Sequence, residues 1–277
     1  MTAYKEGQIL KSISLDTVDF EDRYYKISRN RIDDGLRSSI REFGVLDPPV
    51  VMEDGVSRRV VFGFNRLQAL REAGAERADV MAVPAVDAEW YAGRVLLKCL
   101  RGEVGPIGRM RARAILKDMA MESGRLGRVA KQGLRLPDEF TRDDALTGMV
   151  DGLPAVLRDY LDCRDIQFRI IRDLARLPRA AHGAVASWIA YAPLRVNIFR
   201  FIVDMLTDMT ARDGNLDFVR GIHPDGSIDR KQWEDHLFRL IREARYPDYS
   251  AARKRADDVV RYFAARGIGV DYPPYFE

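Results

Sequence analysis

The sequence predicts an α+β protein: a small mixed sheet with flanking helices, followed by an all-helical region. Two observations predict it. Short apolar runs of strand length (Val50 to Met52, Val60 to Phe62, Val80 to Val86) are confined to the first ninety residues. From Asp87 onward the apolar residues recur at helical spacing to the end of the chain.

Residues 9–28 alternate loosely (Ile9, Ile13, Leu15, Val18, Phe20) and read as one or two strands with a turn. Ile32, Leu36, Ile40 and Phe43 form one face of a helix closed by Gly44. Pro48-Pro49 bars further helix, and Val50 begins a strand. Glu53-Asp54-Gly55 is a hairpin turn, with Arg59 to Phe62 as the returning strand. Leu67, Leu70 and Ala73 mark a helix over 65–73 that Gly74 caps.

Trp90, Val95, Leu96 and Leu100 open the helical half, and Arg101 to Gly105 break it. Pro106 suits the first turn of a helix over 106–121 carrying Met110, Ala114, Ile115 and Met119. Arg125 to Gly133 reads as a further helix and turn, and Asp138 to Leu146 as another helix. Beyond Pro154 come stripes through Leu157 and Leu161, Ile170 and Leu174, Val185 and Trp188, and Phe199 and Val203. Residues 212–227 read as a linker, followed by helices through Trp233 and Leu237 and through Val260 and Phe263, and an extended tail, Tyr272 to Phe276. The expected domains are 1–90, an α/β nucleotide-binding type; 91–220, a basic helical DNA-binding type; and 221–277, a C-terminal helical segment.

A chain of 277 residues with 47% apolar and 31% charged residues can bury a substantial core. No apolar run approaches the ~18 residues of a membrane span, so no membrane contact is expected. Met1 to Lys11 has no hydrophobic signal core, which implies a cytoplasmic protein. Cys99 and Cys163 stand far apart and His182, His223 and His236 are scattered, so reduced thiols and no metal site are expected.

The charge is unevenly placed. Residues 1–90 hold 13 Lys/Arg against 16 Asp/Glu, whereas residues 91–135 hold 11 against 3. Such a concentration is the footprint of a phosphate-backbone contact, although an arginine-rich helix also makes a solvated face. Arg109, Arg111, Arg113, Arg125, Arg128 and Lys131 are the expected DNA contacts. The helix over Asp138 to Leu146 carries four carboxylates, which phosphates repel. It is a poor match to a recognition helix.

The join between Phe62 and Arg66 is the candidate small-molecule site. A strand meeting a helix at Gly63 aims unpaired backbone N–H groups and the positive end of a helix dipole at one point, with Arg66 in the first turn. An anion is the natural guest.

The order from Gly44 to Gly74 is Gly-Val-Leu-Asp-Pro-Pro-Val-Val, a hairpin, Gly63-Phe64-Asn65-Arg66, and a helix ending in glycine. It resembles the N-terminal domain of the ParB/sulfiredoxin-like superfamily, over residues 9–110, and a divergent ParB-type partition protein within it. In that family the junction reads Gly-Glu-Arg-Arg and grips the phosphates of a cytidine nucleotide; here the glycine and last arginine match. A second family motif, Glu-Asn-x-x-Arg before a Pro-Ile pair, stands as Leu97-Lys98-Cys99-Leu100-Arg101 before Pro106-Ile107, so only the arginine survives.

The resemblance implies CTP as ligand through Gly63, Phe64, Asn65, Arg66, Lys98 and Arg101. It also implies a homodimer, DNA as partner, and a role in chromosome or plasmid partition. Glutamate is missing at Phe64 and Leu97, where the family would hold magnesium, so neither Mg²⁺ nor more than residual CTP hydrolysis is expected, and no catalytic residue is assigned. The sulfiredoxin cysteine is also missing from the Gly-x-x-Arg loop, which argues against sulfur-oxide chemistry. The family's ParA-type ATPase meets a basic flexible N-terminal arm; Met1 to Gln8 holds one lysine, which argues against that partner. Two other classes remain open: a nucleotide-binding enzyme or sensor that does not act on DNA, and a structural interaction protein.

Overall fold

The computed structural model describes residues 9–29, 32–54, 57–214, 216–224, 226 and 228–269. It divides into two compact units, Met1–Ala175 and Arg176–Glu277.

Unit 1 begins with β1 (Ile9–Ser14) and β2 (Val18–Asp19), then α1 (Asp34–Phe43), β3 (Val50–Asp54), β4 (Ser57–Phe62), α2 (Phe64–Glu72) and β5 (Arg77–Val83). The five strands form one mixed sheet in the order β1-β5-β3-β4-β2. β1 runs antiparallel to β5, β3 parallel to β5 and antiparallel to β4, and β2 parallel to β4. Val50, Val51, Val60 and Val61 are all fully buried. Successive strand residues point to opposite faces, so the middle of the sheet is covered on both sides. The expected α+β class is what the chain adopts.

Caps set the helix starts. Asp33 Oδ1 accepts from Leu36 N at 2.9 Å, so α1 begins just after the expected Ile32. β5 starts earlier than 80–86, because Arg77 to Asp79 pair with Ser14 to Ser12 of β1, and stops earlier, because Pro84 has no N–H to continue a ladder. Gly55 and the 272–276 tail lie outside the described residues.

Among the described residues of unit 1 follow the α-helices α3 (Ala88–Leu100), α4 (Pro106–Asp118), α5 (Ser123–Arg128), which continues as a π-helical turn (Val129–Gly133), α6 (Asp138–Arg142), α7 (Asp144–Asp151), α8 (Ala155–Cys163) and α9 (Phe168–Ala175). Their core is Leu116, Leu134, Phe140, Leu146, Leu157, Leu161 and Ile171. The expected boundary at 90/91 falls inside α3, where Tyr91 stacks on Phe62 of β4 with ring centroids 5.3 Å apart. Helix and sheet share a core there, so the first domain runs on. The expected helix over 138–146 is broken: Asp143 leaves helical geometry and caps α7 by accepting from Leu146 N at 3.0 Å.

The irregular segment 20–29 is tied down by its backbone. Arg23 O accepts from Arg111 of α4 at 2.6 Å, and Arg29 O accepts from Asn65 of α2 at 2.9 Å. A Cβ on Gly108 of α4 would lie 2.1 Å from Ile27 O.

Unit 2 holds α10 (Arg179–Tyr191), α11 (Val196–Asp213), α12 (Arg230–Arg245) and α13 (Pro247–Ala264) around Trp188, Phe199, Leu206, Trp233 and Leu237. The expected linker is part of this unit, and the 220/221 boundary does not separate two bodies. Leu216 and Val219 are buried, Trp188 Nε1 donates to Ile222 O at 2.9 Å, and Tyr191 OH donates to Ile228 O at 2.6 Å.

Candidate phosphate-binding site

β4 passes into α2 through Gly63, whose φ of 91° is left-handed. A Cβ at Gly63 would lie 2.8 Å from Cβ of Pro49, so glycine is required by both conformation and space. Gly63 O accepts from Arg66 N and Leu67 N, both at 3.0 Å. α2 has no side-chain cap and no acidic residue in its first turn, so its own residues leave the positive end of the helix without a counter-charge.

The charge that answers it comes from the loop before β3. Asp47 Oδ2 lies 2.9 Å from NH1 of Arg66. Burial works against ionisation of Asp47, but hydrogen bonding from Arg66 and the charges of Arg66, Arg94 and Lys98 outweigh it and hold the carboxyl below its usual range. Three cations therefore act on one carboxylate. Arg94 and Lys98 lie one turn apart on α3 and flank Phe62: the Arg94 guanidinium is 5.9 Å from the ring centroid and Lys98 Nζ 5.8 Å. Lys98 also bonds Glu103 at 2.6 Å, and Arg101 stands 3.8 Å from the same carboxylate.

The expected nucleotide residues thus divide. Gly63, Arg66 and Lys98 are brought together. Arg101 is two-thirds exposed and joins only through Glu103. Phe64 is buried and fills core, so it offers no face to a base. Asn65 spends its amide on Arg29 O. Arg94, Asp47 and Glu103 were not singled out by the sequence reading. The spacing Trp90, Arg94, Lys98 on one helical face was the signal for Arg94.

The expected DNA contacts divide too. Arg113 is a structural residue, only 6% exposed, with NH1 2.9 Å from Asp144 and NH2 donating to Thr141 O at 2.6 Å. Those partners withdraw it from any duplex. Arg109 donates to Val104 O at 3.2 Å and Arg111 to Arg23 O, both half-buried. Arg125, Arg128 and Lys131 stand exposed, with Arg125 paired to Glu89 and Lys131 to Asp138, each at 2.9 Å. Among the described residues no group of three or more His, Cys, Asp or Glu side chains could hold a metal ion. Burial in apolar surroundings pushes the Cys99 thiol up, away from a reactive thiolate.

Fold and site together define an α+β protein with a cluster of cations at a strand–glycine–helix join. No protein-family model and no curated protein matches the chain. Three solved structures show a distant likeness. The C-terminally truncated chromosome-partitioning protein ParB from Caulobacter crescentus complexed with CTP-γ-S is 19% identical, covering 66% of this chain and 99% of its own, with a TM-score of 0.29. The same truncated protein complexed to the centromeric parS site is 19% identical, covering 70% and 97%, with a TM-score of 0.27. A Pnob8-like ParB-N domain is 12% identical, covering 87% and 99%, with a TM-score of 0.37. Among the described residues no helix is long and apolar enough to cross a membrane.

Proposed function

We propose that the protein is a ParB-like DNA-binding protein of chromosome or plasmid partition, active as a homodimer, whose cation cluster at Gly63 binds the phosphates of a cytidine nucleotide with little or no turnover. The observation that carries the reading is the Arg66–Asp47 ion pair at the uncapped start of α2, with Arg94 and Lys98 of α3 beside Phe62 at the end of β4. Phosphate oxygens meet the same cations by displacing Asp47, which is more than half exposed. Turnover is unfavoured because the nearby carboxylates, Asp47 and Glu103, are committed to Arg66 and Lys98 rather than open to Mg²⁺. The exposed side chains of Arg125, Arg128 and Lys131 supply backbone contact to DNA.

Fluorescence anisotropy of generic duplex DNA, with and without CTP and across a salt series, tests the reading. Affinity should fall steeply with salt and change with CTP. Salt-dependent binding that ignores CTP would remove the nucleotide half; no binding at low salt would remove the whole.

A further inference from the structure

Unit 1 holds a positively charged cavity, of about 160 Å³, between the irregular segment 23–28, the start of α4 and one face of α8. Arg23, Lys26, Arg111 and Arg158 line it against two carboxylates, Asp159 and Asp162. The helix start is not its attraction, because that is already answered. Asp162 Oδ1 accepts from Ile107 N at 2.9 Å and from Gly108 N at 3.1 Å, neutralising the first turn of α4 from within the fold. What remains is crowded positive charge around a small space.

The crowding is visible in three places. Arg158 Nε is buried without a hydrogen-bond partner. Burial, with Arg23 and Arg111 alongside, lowers the pKa of Lys26 despite Asp159. Arg111 is lowered too, first by burial, with Arg158 and Arg23 adding to it against Asp151. Four cations facing one half-buried space against two carboxylates repel one another, and an anion among them would relieve that repulsion. The cavity is below the ~300–1,000 Å³ of small-molecule pockets, which excludes a whole nucleotide.

We propose that this cavity binds one tetrahedral oxyanion, a single phosphate group, gripped by Lys26, Arg111 and Arg158. It is separate from the cation cluster at Gly63 and independent of that assignment. Two sources offer the chemistry, free inorganic phosphate and a backbone phosphate of DNA.

Calorimetric titration of inorganic phosphate into the full chain, at fixed ionic strength in chloride, tests it. One saturable site is expected, weakened about tenfold or more by Lys26→Gln. Arg158→Gln serves as the second variant if the first does not fold. Arg66→Ala should leave this site unchanged, which keeps its fate apart from that of the proposed nucleotide site. Competition by a short duplex would assign the backbone as source; its absence would assign the free ion. Heat that never saturates up to roughly 10 mM phosphate, or equal affinity in wild type and both glutamine variants, would overturn the proposal.

Discussion

Asp47 Oδ2 sits 2.9 Å from NH1 of Arg66 at the uncapped start of α2, a carboxylate standing where the proposed ligand phosphate would stand. The pair is a competitor for the site as well as a part of it. Asp47→Asn removes the competing charge while keeping the shape. CTP affinity, read by calorimetry, should rise several-fold; unchanged or weaker binding would mean Asp47 does not compete with the ligand.

Gly63 bears the sharpest steric demand. Gly63→Ala combines a left-handed φ with a Cβ driven into Pro49, so it should cost about 2–3 kcal/mol. Urea unfolding measures this, and a loss under half a kcal/mol would show that the loop can yield.

Arg113 and Arg128 both belong to the basic stretch yet should behave oppositely. Arg113→Ala strips buried bonds to Asp144 and Thr141 O and should cost about 1.5–3 kcal/mol. Arg128→Ala, on the exposed face of α5, should leave stability within about 0.5 kcal/mol. It should weaken DNA binding and lower the salt slope by about one.

Asp162 supplies a prediction with pH. Asp162→Ala orphans the Ile107 and Gly108 N–H groups and should cost about 2–3 kcal/mol, whereas Asp162→Asn keeps an acceptor. Burial raises the Asp162 pKa, opposed by those two N–H groups. A carboxyl with a raised folded pKa stabilises most when protonated, below its unfolded value of about 3.9. That contribution is lost as pH rises through the folded value. Wild type should therefore lose ground to Asp162→Asn over that window and then run parallel to it. Asp47, with its lowered pKa, has the opposite sign: its contribution is present above the unfolded value and lost as pH falls through the folded one.

The sheet was legible because its central strands are unbroken valine runs, and α2 because glycines bracket a helical stripe. Arg113 was misread from charge alone, although it follows Met110 by one turn on the inward face. Asp47 could not be read as the partner of Arg66 from local spacing, because it is the pairing of Val50 with Phe62 across β3 and β4 that brings the loop before β3 to the start of α2. Asp162 was hidden for the same reason: a cap donated from a distant helix leaves no local spacing.

The stretch from Arg23 to Arg29, with hardly any regular structure, gives its carbonyls to α2 and α4 and leaves no room beside Gly108. It works as a cross-brace. A ligand that shifts the start of α2 would pull on the same brace that seats α4, so the two helices should respond in concert rather than hinge apart.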